Sequence, residues 1–342
     1  MEWNILTSFI DKNKIDPGKI HHEQKMRNIR SNYDNLSLKI KIEQYEYVFS
    51  RFNLSRYLMA CQIPPSIAVD IARVIKEEFV DKQVFLVNQE DFTKRVIEMI
   101  AKVDPSDTFQ RRFRLIQHFY LERMPLIIFI SGTGFIGKSS TAFQLGERLN
   151  ISTILQTDIV KALISGSGDH LNQELWYREH KSITDCMNVY NTASDIVQKG
   201  IEGDIVKTLA DGKPLIIEGV HLDPFKYLKI CGKRSLLPLE GFPEGVIAEI
   251  SPGRMGFIIP ILLTKPQVLI QTSVLSAVNG SSKKKIHNFS VSKIVNYAIA
   301  IQKALISRFP KQYIIDASNN DVIDQIHNIF LGMIEQYYGK MI

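Results

Sequence analysis

Residues 132–139 read GTGFIGKS, which fits the pattern GxxxxGK[ST] and lies between an apolar run and a stretch of helical spacing. Glycines at 132, 134 and 137 let the backbone turn tightly and approach phosphate oxygens without a Cβ in the way. The exposed amides form an anion nest, and a helix beginning near Lys138 adds the positive end of its dipole. In such a loop the lysine, Lys138, reaches the β- and γ-phosphates of a nucleotide, and Ser139 ligates Mg²⁺. The expected ATP contacts are therefore Gly132, Thr133, Gly134, Gly137, Lys138, Ser139 and Ser140.

Two carboxylates end neighbouring apolar runs, where groups that act on a transferring phosphoryl are expected in a parallel sheet. Asp158 closes STILQTD and opens DIVKALI. It is expected either as a base toward an acceptor hydroxyl or in the Mg²⁺ shell, and its alternative is a helix N-cap. Thr157 can serve as that cap instead. Glu218 closes PLIIEG, where a Walker B acid holds the metal's water shell or orients the nucleophile. Its alternative is a salt bridge at the sheet rim. The catalytic candidates are thus Lys138, Asp158 and Glu218, and the metal candidates are Ser139 and Glu218. His221 and Asp223 follow in EGVHLDP at the mouth of the same site, with Gly219 suited to a sharp turn and Pro224 ending the strand. His221 and Asp158 are candidates to touch the substrate; a structural hydrogen bond is the other reading of His221.

These residues need a sheet to hold them. PLIIFISG, STILQTD, PLIIEG, FIIPILLT and KQYIIDAS are short apolar runs of the kind that form buried parallel strands. Helical stretches such as SSTAFQLGERL and NTASDIVQKGIEGDIVKTLADG lie between them. The alternation predicts an α/β, doubly wound P-loop NTPase domain over 111–342. Ahead of it, 41–110 reads as a smaller all-helical domain. One apolar stripe there comprises Ile67, Ile71, Val74 and Ile75, and another Phe92, Val96, Met99 and Ile100. Pro64, Pro65 and Asn88 mark helix starts. DTFQRRFRLIQHFYLERM is expected to bridge the two domains. Residues 1–40 are polar, show no sustained apolar period and read as a loosely ordered lead-in.

In the 342-residue chain, 45% of residues are hydrophobic and 23% charged, which excludes a disordered composition. The net charge is +6, but the basic runs at Lys283, Lys284 and Lys285 and around Arg111, Arg112 and Arg114 are short and lack interleaved aromatics. An anionic small molecule is the expected partner rather than nucleic acid. Cys61, Cys186 and Cys231 lack CxxC spacing and read as buried apolar residues in a reducing compartment. No apolar run reaches the ~18 residues of a membrane span, and the N-terminus lacks a signal-like pattern, so a cytosolic location and no membrane partner are expected.

The chain resembles the 2-phosphoglycerate kinase family, which joins an ATP-cone-like N-terminal domain to a P-loop kinase domain. The resemblance rests on YEYVFSRFNLSRYLMACQIPPSIAVDIARVIKEEF, SGTGFIGKSSTA, TDIVKALI and above all IIEGVHLDP, and it covers most of 45–335. It implies transfer of the γ-phosphoryl of ATP to 2-phosphoglycerate, giving 2,3-bisphosphoglycerate. One departure stands out. After the fourth strand the family has an Arg-rich segment resembling DEExHRxRF, taken as a lid; here the region reads QVLIQTSVLSAVNGSSKKKIHNFS. Lys284, with Lys283, Lys285 and His287, is then the expected source of lid charge, although an ammonium does not reproduce the bidentate fork of arginine. An apparent insertion, GKRSLLPLEGFPEGVIAEISPGRMG, reads as a surface loop, and Arg254 within it either folds over the phosphates or does not. Tyr297, Ile301 and Ile306 read as core, and Asp316 and Asn319, at the end of IIDAS, as turn residues, with a contact to the adenine or the acceptor as their alternative. The alternatives to a 2-phosphoglycerate kinase are the same machinery acting on another anionic metabolite, such as an inositol phosphate, and a non-catalytic ATP sensor.

Overall fold

The computed structural model describes residues 36–164, 173–176, 179–223, 246–251, 254–279, 290–309 and 311–339. These fall into two compact units that divide between Gln117 and His118.

The first unit contains β1 (Lys39–Ile42), β2 (Tyr45–Val48), α1 (Arg51–Ala60), α2 (Pro65–Asp81), β3 (Leu86–Asn88), α3 (Gln89–Val103) and the start of α4 (Thr108–Leu121). Two helix starts have visible causes. The Ser50 Oγ accepts from the Asn53 amide at 3.2 Å at the head of α1, and Pro65 occupies the first position of α2, where its missing N–H has no helical partner to lose. Ile67, Ile71 and Ile75 on α2 are buried, as are Phe92, Val96, Met99 and Ile100 on α3. Val74 is only half-buried, and Ala68 and Ala72 complete the inner face in its place.

An all-helical unit is not what forms. The strand β1 pairs antiparallel with β2 and parallel with β3 in a three-stranded sheet of order β2-β1-β3. The strands are only three or four residues long, too short to show a period, and β1 pairs with β3 across both intervening helices. Part of the expected lead-in is thus sheet, with Ile40 fully buried at its centre.

The second unit begins within α4 and continues through β4 (Leu126–Ser131), α5 (Lys138–Arg148), β5 (Ile154–Gln156), α6 (Thr157–Ile164), α7 (Gln173–Trp176), α8 (Ile183–Asp211) and β6 (Pro214–Gly219). It closes with β7 (Val246–Ser251), β8 (Arg254–Thr264), α9 (Gln267–Asn279), α10 (Val291–Ile306), β9 (Ile314–Asp316) and α11 (Val322–Tyr338). The parallel strands run in the order β5-β6-β4-β8-β9, so the chain steps outward from β4, returns beside it, then crosses to its other side. Strand β7 is the exception. It pairs antiparallel with the first half of β8, so VIAEIS within the expected surface loop is a strand that covers part of a sheet edge.

Helices cover both faces, as a doubly wound sheet requires. On one face Ile127, Phe129, Leu215, Ile217 and Ile258 pack against Val197, Ile201, Ile205 and Leu209 of α8 and Val160 of α6. The other face is covered by α5, α11 and the end of α4. There Phe119 stacks on Phe257 at 5.7 Å and meets Phe330 edge-on at 5.4 Å. Phe119 is almost completely buried, so Phe119→Ala is expected to cost this unit ~3–5 kcal/mol. A denaturant titration followed by circular dichroism should show its transition moving to lower denaturant, and an unmoved transition would contradict this packing.

Candidate active site

The register of the sheet decides which side chains meet. Glu218 stands opposite Ile130 on β4 and Gln156 on β5, so the carboxyl ends of all three strands open at one level. The loop after β4 turns back into α5 through Gly132 (φ +148°) and Gly137 (φ +96°), conformations that L side chains rarely adopt. A Cβ at Gly132 would stand 2.7 Å from the Leu263 carbonyl oxygen, so this position also requires glycine for close strand packing. Gly134 lies under Trp176 of α7, whose ring a Cβ would meet at 2.9 Å. Phe135 holds a left-handed backbone (φ +66°) without being glycine, and its ring packs edge-on against Trp176 at 5.6 Å.

Lys138, Ser139, Asp158, Glu218 and His221 converge here. Lys138 is buried and its Nζ donates to the Thr133 carbonyl at 2.7 Å. Burial pushes its pKa down, and the charges of Asp158 and Glu218 pull it back up. The Ser139 hydroxyl donates to Glu218 Oε1 at 2.7 Å. Burial raises the Glu218 pKa, opposed by the Lys138 charge and the Ser139 hydrogen bond, with Asp158 adding to the rise. Asp158 sits in the first turn of α6, with Oδ1 buried 3.5 Å from His221 Nδ1 and without a hydrogen-bond partner. The Thr157 hydroxyl is directed away from capping, at 3.1 Å from the same ring nitrogen. His221 is fully buried, and burial lowers its pKa to about 4 against the upward pull of Asp158.

The loop after β6 is tied at two further points. The Ser131 hydroxyl donates to the Leu222 carbonyl at 2.7 Å, and Arg308, just beyond α10, pairs with the buried Asp223 at 2.8 Å. Ser140 is exposed in the first turn of α5. Lys284 lies outside the described residues, as do Lys283, Lys285, His287 and Cys231. Asp316 holds a turn: its Oδ1 accepts from the Ser318 amide at 2.9 Å, and its carbonyl accepts from the Asn319 amide at 3.2 Å. Trp176 and Arg308 were not singled out in the sequence. Each reaches the site from another part of the chain and carries no local motif.

These groups can hold a polyanion and a hard cation. The glycine conformations open a cradle of amides, and the Thr133 Oγ1 is buried there without a hydrogen-bond partner. Among the described residues no three His, Cys, Asp or Glu side chains cluster as a metal site. A Mg²⁺ would take Ser139 and Glu218 and complete its shell from water and phosphate oxygens, which is its usual habit.

The chain is similar in sequence to known proteins. The chain is 29% identical to a 2-phosphoglycerate kinase of Methanocaldococcus jannaschii over 194 residues, 54% of this chain and 62% of that one. It is 26% identical to a 2-phosphoglycerate kinase of Methanopyrus kandleri over 200 residues, 55% of this chain and 60% of that one. The chain is a relative of the 2-phosphoglycerate kinases. It matches less than two thirds of the length of either protein. No protein-family model matches the chain. Among solved structures, a gluconokinase from Sinorhizobium meliloti 1021 aligns with a TM-score of 0.38 at 12% identity, covering 64% of this chain and 98% of that one, a likeness too weak to carry an argument. No described helix is long and apolar enough to cross a membrane.

The depressed His221 pKa has a consequence for stability. Between about 4 and 6.5 the unfolded histidine binds a proton that the folded one does not, so this residue makes stability rise with pH across that window. His221→Asn, which cannot titrate, is expected to reduce the slope of stability against pH there. Denaturant midpoints collected across the window check this; equal slopes would mean that His221 is charged in the fold.

Proposed function

We propose that the chain is an ATP-dependent kinase of a small anionic alcohol, with 2-phosphoglycerate as acceptor and 2,3-bisphosphoglycerate as product. The observation that carries this reading is the meeting of Lys138, the Ser139–Glu218 pair and Asp158 at the carboxyl ends of β4, β5 and β6. A nucleotide-binding loop alone would account for the lysine and the serine. A second carboxylate beside them, with 39% of its side chain exposed, has a use when a hydroxyl must be oriented and deprotonated. The names of the relatives supply the acceptor, and the basic net charge of +6 suits a polyanionic substrate and product.

When bound, MgATP supplies the phosphoryl group and a divalent charge. The residues of the chain have separate tasks around it. The amides near Gly132, Gly134 and Gly137 bind phosphate oxygens, and the Lys138 ammonium exchanges the Thr133 carbonyl for them. Burial lowers the local dielectric, so the lysine charge is felt more strongly by the transferring group than it would be in water. Glu218 and Ser139 would hold the metal, whose charge would offset that of the phosphate oxygens. Asp158 orients the acceptor hydroxyl and takes its proton as its oxygen bonds to the γ-phosphorus, while the bond from that phosphorus to the bridging oxygen of the β-phosphate breaks and ADP leaves. The transition state is loose, so most of the rate comes from positioning and charge rather than from the strength of the base.

Incubation of the full chain with ATP, Mg²⁺ and a panel of phosphorylated acids and polyols, with product identified by mass, is the direct test. A 2,3-bisphosphoglycerate product is expected; nucleotide binding without phosphorylation of any acceptor would leave an ATP sensor. Lys138→Ala is expected to lower transfer by ~10²–10³-fold or more. For Asp158→Asn the loss should reach ~10²-fold or more in kcat with little change in nucleotide affinity. Unchanged turnover in either variant would remove that residue from the mechanism.

A further inference from the structure

The kinase reading leaves His221 without a task, and its surroundings define one. The imidazole is fully buried, so it presents no surface to a substrate. Its Nδ1 lies 3.1 Å from Thr157 Oγ1 and 3.5 Å from Asp158 Oδ1. Thr157 is itself fully buried, and its hydroxyl occupies the space above Gly219: a Cβ there would stand 1.6 Å from Thr157 Oγ1. Gly219 holds a φ of +155° at this contact. The threonine is therefore held between the backbone of the β6 end and the imidazole. Asp158, the next residue, keeps Oδ1 buried toward the ring while its side chain remains 39% exposed, which leaves the other oxygen facing outward.

We propose that His221 and Thr157 are positioning residues, which fix the Asp158 carboxylate with one oxygen inward and the other toward the acceptor hydroxyl. The inference rests on the kinase reading and deepens it: the substrate meets Asp158, and His221 acts through it. The Asp158 carboxylate 3.5 Å away disfavours a lone pair on Nδ1, so the neutral imidazole carries its proton on that nitrogen and donates it to Thr157 Oγ1 at 3.1 Å. A base held by a buried partner keeps its aim through the reaction, and losing such outer support typically costs ~10–100-fold.

Two measurements test this. The first needs no turnover: ¹⁵N–¹H correlation of the His221 ring should show the Nδ1–H tautomer in the wild-type chain and a loss of that preference in Asp158→Asn. An Nε2–H tautomer in the wild type would overturn the proposal whether or not the chain is a kinase. The second compares His221→Asn with His221→Leu. Asparagine puts a donor close to the position of Nδ1, whereas leucine fills the space without one. His221→Leu is expected to lose ~10–100-fold in kcat with MgATP affinity unchanged, and His221→Asn to recover most of that loss. A residue that only filled the core would respond to leucine at least as well as to asparagine, and that result would overturn the proposal. Failure of the wild-type chain to phosphorylate any acceptor would count against the kinase reading, and the tautomer would still decide the arrangement around Asp158.

Discussion

A buried ammonium is costly unless its surroundings answer the charge, and Lys138 is buried. Its partners come from separate parts of the chain: the Thr133 carbonyl from its own loop, Glu218 from the end of β6 and Asp158 from the head of α6. For these to arrive together, β4, β6 and β5 must be adjacent, parallel and in register, as they are. The loop must also reverse within a few residues, which Gly132 and Gly137 permit. An arrangement that opposes one buried cation with two carboxylates also suits a second, divalent cation, so the same electrostatics that hold Lys138 in place suit a metal-bound polyphosphate.

The second ring of contacts keeps the acidic loops from drifting. After Glu218 the chain passes Gly219, which leaves room for Thr157, and turns inward so that His221 and Leu222 are buried. Ser131 and Arg308 then fasten Leu222 and Asp223 from the ends of β4 and α10. Each fastening is a polar contact to a buried group, where loss of one partner leaves the other unsatisfied. The rigidity of the site thus depends on side chains that touch no ligand.

Much of this was legible in the sequence because it is local. A glycine-rich turn between an apolar run and a helix has few other meanings, and Asp158 and Glu218 each close a run that reads as a buried strand. The apolar stripes of α2 and α3 were equally visible. What stayed hidden depends on pairing across the chain. The strand KIKI pairs with LVN 47 residues further on, and VIAEIS becomes a strand only beside the start of β8. Arg308 lies 85 residues from Asp223, and His221 lies 64 residues from Thr157. Thr157 was visible as a possible helix cap; its contact with His221 follows from the packing of β5 beside β6 and has no local signature. Trp176 covers Gly134 for the same kind of reason.

The central claim is that Lys138, Ser139 and Glu218 form one metal–nucleotide site, and the most direct measurement is Mn²⁺ binding followed by electron paramagnetic resonance in the presence of ATP. The account predicts that ATP creates a tight Mn²⁺ site in the wild-type chain and that Glu218→Gln and Ser139→Ala each weaken it ~10–100-fold. Mn²⁺ binding with ATP that is the same in all three proteins would contradict it.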